Sequence, residues 1–160
     1  MLLRRAISTF LKKGLSMNVS HILKTKGSDI MTVRPSETVQ NAAMRLRLKG
    51  VGALIVSHDG LTLDGIITER AISDGVAVHG SNIGDLHVSD IMITGVFTCS
   101  PEDSIANVAR LMTHRRLRHL PVMEGGRLVG ILSVGDILKY RLDEVTLEAQ
   151  VLQDVAIAHR

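Results

Sequence analysis

MTVRPSETV, at residues 31–39, returns in altered form as FTCSPEDSI at residues 97–105, 66 positions later. Both segments lead into an apolar stretch with helical spacing. Farther along the chain, GIIT at residues 65–68 returns as GILS at residues 130–133. An internal repeat indicates that a chain contains copies of one small structural unit. We therefore expect two copies of one fold, packed face to face, with any ligand site in the symmetric crevice between them.

The composition restricts the class of protein. A chain of 160 residues that is 45% hydrophobic and 22% charged is typical of one compact domain or of two half-domains that share a core. Only 2% of the residues are aromatic, which argues against single-stranded nucleic-acid binding by base stacking. The net charge is +3, and the basic residues are scattered except near the N-terminus and at residues 115–118. We interpret that short cluster as a local anion site.

The single cysteine and the hydropathy pattern indicate the environment of the protein. Cys99 has no second cysteine with which to form an internal disulfide, so a reducing compartment is expected. No apolar run reaches the roughly 18 residues that a membrane span requires. We therefore expect a soluble protein, located in the cytoplasm.

The sequence of residues 1–16 predicts a basic amphipathic helix. Leu3, Ile7 and Phe10 share one face, and no acidic residue occurs before position 29. This composition fits an organellar transit peptide, which makes mitochondria the alternative compartment. It equally fits a helix docked on the body of the protein, or an upstream extension of a chain that naturally starts at Met17.

The repeat predicts one order of elements twice: a short strand, a helix, two strands and a second helix. We therefore expect an α/β (α+β) protein with small sheets flanked by helices. Periodicity and turn residues place the first set at 30–33, 38–49, 52–57, 63–67 and 68–78. The second set falls at 96–99, 104–115, 119–123, 128–132 and 133–142.

The remaining segments complete the expected domain organisation. Apolar residues recur at three- and four-residue spacing from Leu138 to Ala156, and this helix face needs a partner. We therefore expect a homodimer. The connector between the repeats should contain a short helix near residues 88–92. The predicted boundaries are an extension at 1–19, the first repeat at 20–79, the connector at 80–92, the second repeat at 93–142 and a C-terminal helix at 143–160.

The strongest local motif is GILSVGD at residues 130–136, where a strand leads into the start of a helix. Ser133 and Asp136 have the spacing of a capping box, which satisfies backbone N–H groups and requires no ligand. The same arrangement also suits a nucleotide. A helix N-terminus with a hydroxyl binds phosphate, and a carboxylate one turn inside the helix can accept hydrogen bonds from both hydroxyls of a ribose. The two interpretations are compatible.

Basic residues precede the central strand of the second repeat. Arg115 and Arg116 end a helix, where the helix dipole favours cations without any ligand. Arg118 stands at a strand entry and has no such explanation. Because a guanidinium group forms two parallel hydrogen bonds with phosphate, Arg118 favours an anion site at the same edge as Ser133.

With these motifs the chain resembles a tandem pair of cystathionine-β-synthase (CBS) domains, also called a Bateman module. The resemblance rests on Thr-x-x-Pro, Leu-Pro-Val and Gly-h-h-Ser/Thr-x-x-Asp, in which h is apolar; the first and the Gly-h-h-Ser/Thr part of the last occur in both repeats, and the resemblance covers about residues 20–142. It implies two β-α-β-β-α repeats related by pseudo-twofold symmetry. It also implies clefts that bind AMP, ADP, ATP, NAD or S-adenosylmethionine, and a regulatory role.

The resemblance assigns roles to particular residues. Asp136 would hold the ribose, Ser133 the ribose or the phosphate, and Arg118 and His119 the phosphates. The other residues of the implied nucleotide site, most of them around the adenine ring, would be Lys26, Ser28, Ile30, Val51, Gly52, Ala53 and Pro121.

The first repeat departs from the family pattern at the ribose position. Where the second repeat has Asp136, the first has Ala71, in the stretch TERA at residues 68–71. The pseudo-symmetric cleft near Thr68 and Thr94 therefore lacks the acid. We expect that second site to bind weakly or to remain empty.

Together, these features predict a non-catalytic sensor that binds an adenine nucleotide and relays its level to an unidentified regulated protein. Catalysis is not expected, because no nucleophile has a spaced base and no dense His, Cys or acid cluster is present. No metal is required, with Mg²⁺ accompanying the nucleotide if it is ATP. Two alternatives remain open: a ligand-free interaction module that regulates an enzyme or redox partner, and a nucleic-acid binder that uses the basic arm and residues 115–118.

Overall fold

The structure, a computed structural model, describes residues 17–27 and 29–158, without the side chains of residues 155 and 158. The helix predicted at residues 1–16 and the predicted site residue Ser28 lie outside these residues. In chain order the elements are α1 (Val19–Lys26), β1 (Thr32–Val33), α2 (Val39–Lys49), β2 (Ala53–Val56), β3 (Gly65–Thr68), α3 (Glu69–His79), a 3-10 helix (Gly80–Asp85), α4 (Val88–Ile91), α5 (Ile105–Arg115), β4 (His119–Glu124), β5 (Arg127–Ser133) and α6 (Val134–Ala158).

Two small sheets contain the named strands. In the first, β2 lies between β1 and β3, parallel to β1 and antiparallel to β3, so that Thr32 pairs with Ile55 and Ala53 pairs with Thr68. Strands β4 and β5 form a separate two-stranded sheet. All four residues of β2 are buried, which agrees with their unbroken apolar sequence. The predicted class, a mixed α/β fold with small sheets and flanking helices, is confirmed.

Side-chain caps begin three of the predicted helices. The hydroxyl groups of Thr38, Thr68 and Ser104 each accept a hydrogen bond from the backbone N–H three residues later, at 3.0–3.2 Å. Such a cap satisfies one of the N–H groups that have no partner inside the helix. Gly50 ends α2 with a φ of 63°, a left-handed conformation that glycine adopts without strain. These local signals explain why the observed bounds lie so near the predicted ones.

The chain divides into two compact units. One unit contains residues 17–27, 100–119 and 132–158, and it holds α1, α5 and α6. The other contains residues 29–99 and 120–131, and it holds the three-stranded sheet with α2, α3 and α4. In this second unit the apolar faces of the sheet and its helices form a core of Val33, Ala42, Leu46, Leu54, Val56, Ile67 and Val88.

The strand predicted at residues 96–99 is wrong. Only Cys99 pairs, through a single parallel bridge with Val122, and its N–H donates to the carbonyl of Pro121 at 3.1 Å. Gly95 has a φ of 64°, so the chain turns just before this segment and only its last residue meets β4.

Helix α6 is longer than expected. A helix end near residue 142 and a separate helix from residue 143 were predicted, but α6 continues through this position without interruption. The chain has no Gly or Pro between residues 136 and 158, so the sequence supplies no helix breaker there. The 25 residues of α6 make a rod of about 37 Å.

Helix α1 is absent from the elements predicted from the sequence. It begins after Asn18, whose backbone N–H donates to Nδ1 of His21 at 3.3 Å, and it buries Val19 and Ile22. An Asn before apolar residues three apart is the signal that could have revealed it. As a result, Lys26 is the last residue of a helix.

Within residues 17–27 and 29–158, no helix combines the length and the apolar composition that a membrane span requires.

Candidate functional site

Ser133 and Asp136 form a reciprocal capping box at the start of α6. The backbone N–H of Asp136 donates to Oγ of Ser133 at 3.1 Å. In return, the backbone N–H and the hydroxyl of Ser133 donate to Oδ2 of Asp136 at 2.8 and 2.9 Å. The predicted capping interaction is therefore confirmed, and it holds the carboxylate in one orientation.

A third donor reaches the same carboxylate from α1. Nζ of Lys26 lies 2.6 Å from Oδ2 of Asp136, and the two side chains are 35% and 21% exposed. Desolvation by partial burial raises the pKa of Asp136, but the hydrogen bonds from Lys26 and Ser133 outweigh it, so the pKa falls below its ordinary value. Asp136 is consequently ionised at neutral pH.

The two oxygens of the Asp136 carboxylate have different surroundings. Every hydrogen bond that the described residues make to this side chain falls on Oδ2. Oδ1 accepts none within the described part of the chain. One carboxylate oxygen therefore keeps its accepting capacity on a side chain that is already oriented.

Arg118 is attached to the same helix terminus through its backbone. Its carbonyl accepts a hydrogen bond from the N–H of Val134, the first residue of α6, at 2.9 Å. The side chain of Arg118 is exposed, and no described residue forms a hydrogen bond or an ion pair with its guanidinium group. His119, the next residue, begins β4 and is half-buried. The structure thus brings Lys26, Arg118, Ser133 and Asp136 together in one unit.

The other predicted site residues lie in the second unit or outside the description. Ile30, Val51 and Gly52 are half-buried there, while Ala53 and Pro121 are buried. Their grouping with Asp136 around an adenine ring stays a prediction.

The first repeat has only half of the capping arrangement. Oγ1 of Thr68 accepts from the N–H of Ala71 at 3.0 Å, but Ala71 has no carboxylate to return a hydrogen bond. Thr94 does not supply one either. It follows Ile93, which pairs with Ile66 in an antiparallel bridge, so the chain at Thr94 leads away from Thr68. The missing acid therefore has no replacement at these positions.

A cavity of about 610 Å³ opens between α1 and α6. Sequence signals did not reveal this cavity, since α1 was not among the predicted elements. The cavity is lined by Met17, Ile22, Thr25, Lys26, Asp136, Lys139, Tyr140, Asp143, Glu144, Leu147 and Glu148.

In the described part of the chain, no cluster of three or more His, Cys, Asp or Glu side chains could hold a metal ion.

Comparisons with known proteins agree on one family. The sequence pattern of the CBS domain matches residues 19–77 and 88–143. The CBS domain-containing protein CBSX3, mitochondrial, from Arabidopsis thaliana is 32% identical over 145 residues, which cover 86% of this chain and 70% of that protein.

Solved structures show the same fold. The CBS-domain containing protein ATU1752 from Agrobacterium tumefaciens matches with a TM-score of 0.76 and 37% identity, over 80% of this chain and 96% of that one. CBSX2 in complex with AMP matches with a TM-score of 0.65 and 25% identity, over 79% of this chain and 97% of that one. The repeat, the mixed fold and these matches lead to one conclusion: the chain carries two CBS domains and belongs to the CBS domain family.

Proposed function

We propose that this CBS-domain protein is a non-catalytic regulatory module that binds an adenosine-containing ligand and relays its level to a partner protein. The observation that carries the proposal is the Asp136 carboxylate, which is ionised, is held through Oδ2 by Ser133 and Lys26, and keeps Oδ1 for another donor. An acceptor that is already oriented loses little freedom when a ribose hydroxyl binds to it. The AMP complex of CBSX2 supports the same class of ligand.

The groups beside Asp136 suit the phosphates of such a ligand. The positive end of the helix dipole at the start of α6 favours an anion there. Arg118, tied to Val134 through its carbonyl, adds an exposed guanidinium group without a described partner. In this proposal Ser133 and Asp136 bind the ribose, and Arg118 and His119 bind the phosphates.

A calorimetric titration of the full chain tests the proposal. AMP, ADP, ATP, NAD and S-adenosylmethionine are compared with GMP as the control, and ATP is measured with and without Mg²⁺. We expect saturable heat with at least one adenosine ligand, and a thermal shift for that ligand, because a ligand at 100 times its Kd stabilises a fold by about 2.7 kcal/mol. Absence of heat for all five at millimolar concentration contradicts the proposal and supports a ligand-free interaction module.

We also propose that the protein forms a homodimer. Four apolar residues share one face of α6 at three-, four- and seven-residue spacing, and each is more than half exposed: Leu138 at 58%, Leu142 at 60%, Val145 at 61% and Leu152 at 59%. A continuous apolar stripe of this kind is rarely left uncovered in a monomer. Pairing of this face with a second copy would remove it from water.

For the compartment, we propose the cytoplasm, with mitochondria as the second candidate. The second candidate is supported by the basic composition of residues 1–16 and by the relative CBSX3, whose name places it in mitochondria. Residues 1–16 fused to a fluorescent protein separate the two. Diffuse cytoplasmic fluorescence supports the first, and co-localisation with a mitochondrial marker supports the second.

A further inference from the structure

Helix α1 is held at its two ends by different kinds of contact. At the N-terminal end, the backbone N–H groups of Val19 and Ser20 donate to carbonyls in the turn before α5, both at 2.9 Å, and Val19 is fully buried. At the C-terminal end, the ion pair of Lys26 with Asp136 joins α1 to α6, and both side chains are partly exposed. Main-chain hydrogen bonds and apolar burial thus fix the first turn of α1, whereas a partly solvated ion pair holds the last turn.

The surroundings of Lys26 leave room for this last turn to move. The cavity between α1 and α6 adjoins it, and Ile22, Thr25 and Lys26 form the α1 side of the lining. Gly27 follows with a φ of 90°, and nothing lies within 4 Å of the position that a Cβ would take there. Glycine is conformationally permissive, so Gly27 can act as a joint. Helix α1 therefore has one fixed end and one end that can swing.

The oxygen of Asp136 that Lys26 contacts is already fully used. A carboxylate offers about four lone-pair sites on its two oxygens. Oδ2 alone accepts from the N–H and the hydroxyl of Ser133 and from Nζ of Lys26. A ribose presents two neighbouring hydroxyls, of which one can donate to Oδ1, while the other needs a place on Oδ2.

One of the three donors on Oδ2 is the natural one to leave. The two bonds from Ser133 belong to the capping box that begins α6. Lys26 comes from a separate helix, 110 positions away in sequence, and its side chain is 35% exposed, so water can take over its ammonium group. Displacement of Lys26 therefore costs less than opening the start of α6.

We propose that Lys26 competes with one ribose hydroxyl for Oδ2 of Asp136, and that a ligand with both hydroxyls displaces Lys26 and releases the last turn of α1. This competition rests on the proposed function, in which Asp136 binds the ribose. A ligand with a single ribose hydroxyl binds Oδ1 and leaves the ion pair intact. Lys26 is therefore a specificity-determining residue, and the end of α1 carries the signal that the site is occupied. Because coupling between two equilibria is reciprocal, removing the ion pair by mutation should tighten the ligand that has to break it.

Calorimetric titration of the full chain with AMP, 2′-deoxy-AMP and 3′-deoxy-AMP tests this competition in the wild type and in Lys26→Met. Methionine keeps an unbranched side chain and removes the charge. We expect Lys26→Met to lower the Kd for AMP about two- to fivefold, the range for a partly exposed ion pair, and to leave both deoxy forms unchanged. Lys24→Met is the matched control. Lys24 is an exposed cation of the same last turn outside the cavity lining, so this variant should change none of the three Kd values.

Hydrogen exchange of the α1 amides measures the release of the helix end. The N–H of Gly27 donates to the carbonyl of Leu23 at 3.0 Å, so its exchange reports whether the last turn is closed. We expect exchange in residues 23–27 to rise about two- to fivefold in ligand-free Lys26→Met and in wild type saturated with AMP. It should stay at the wild-type level in Lys24→Met and in wild type with 2′-deoxy-AMP. The amides of the first turn should not change in any sample.

Other outcomes would assign Lys26 a different role. A higher Kd for AMP in Lys26→Met would show that Lys26 binds the ligand directly, and it overturns the competition. An unchanged Kd, an equal change for AMP and the deoxy forms, or slower exchange in residues 23–27 with AMP also overturns it, while the proposed function stands. Absence of heat with AMP contradicts the displacement as well, and the titration with five ligands shows whether the proposed function fails with it.

Discussion

Nζ of Lys26 lies 2.6 Å from Oδ2 of Asp136, so the end of α1 is joined to the start of α6 across 110 positions of sequence. This oxygen also accepts two hydrogen bonds from Ser133. Three donors therefore hold one oxygen of Asp136 before any ligand arrives. A ribose hydroxyl has Oδ1 to bind, and a second hydroxyl would have to share Oδ2 with Lys26 or displace it.

Asp136→Ala should weaken the adenosine ligand strongly and destabilise the fold only modestly. Loss of hydrogen bonds to a charged group costs about 1.5–3 kcal/mol, or roughly ten- to 150-fold in Kd. Loss of half a capping box lowers the free energy of unfolding by about 1 kcal/mol, and loss of the partly exposed ion pair with Lys26 adds up to about 1 kcal/mol. Calorimetry measures the first effect and urea denaturation the second.

Asp103→Ala is the matched control for this substitution. Oδ2 of Asp103 accepts from the backbone N–H of Ser100 at 2.8 Å, the same local role that Asp136 has toward Ser133. We expect unchanged affinity and a smaller loss of stability than for Asp136→Ala, because among the described residues Asp103 has no counterpart of Lys26. If Asp136→Ala alters Kd by less than a factor of two, Asp136 does not bind the ligand.

Arg118→Ala should separate ligands by their phosphate content. If its guanidinium group binds phosphate, the variant loses most affinity for ATP and ADP, less for AMP and little for adenosine. Parallel calorimetric titrations of the four ligands measure the series. Equal losses across all four would show that Arg118 acts on the fold and not on phosphate.

The pKa of Asp136 predicts how its contribution to stability depends on pH. Because its pKa is lowered in the folded state, this carboxylate stabilises the fold above its unfolded pKa of about 3.9, and the stabilisation is lost as pH falls through the folded pKa. The difference in unfolding free energy between wild type and Asp136→Asn should therefore be constant above about pH 5 and shrink below about pH 4. A difference that is the same at pH 3 and pH 7 would contradict this assignment.

The two repeats should bind ligand unequally. Thr68 caps α3 as Ser133 caps α6, but only the second repeat has an acid three residues later. We expect one high-affinity site per chain. The Kd of the other site should be about tenfold higher for each 1.4 kcal/mol of binding free energy lost with the missing acid. Ala71→Asp should create a second site, and Ala71→Asn serves as its uncharged control. Two equivalent tight sites in the wild type would refute this prediction.

The exposed face of α6 predicts a dimer in solution. Light scattering at micromolar concentration should give twice the chain mass of 17.4 kDa. Leu142→Glu/Val145→Glu places charges in the stripe and should produce monomers. Leu48→Glu, at an exposed position of α2, should not. A wild-type mass near 17.4 kDa would exclude the dimer.

Local sequence signals predicted the elements of the fold well where a cap or a turn decides them. Thr38, Thr68 and Ser104 mark helix starts because each hydroxyl bonds a backbone group only three residues away. The strand predicted at residues 96–99 failed for the opposite reason. A strand needs a partner supplied from elsewhere in the chain, and only Cys99 obtains one.

For the candidate site, the capping box of Ser133 and Asp136 could be predicted from the sequence alone, since both residues belong to one turn of helix. The asymmetry between Asp136 and Ala71 is likewise visible in the sequence. The contact between Lys26 and Asp136 and the cavity between α1 and α6 became visible only in the folded chain. Contacts between residues 110 positions apart depend on how helices pack, and no local pattern of residue types specifies that packing.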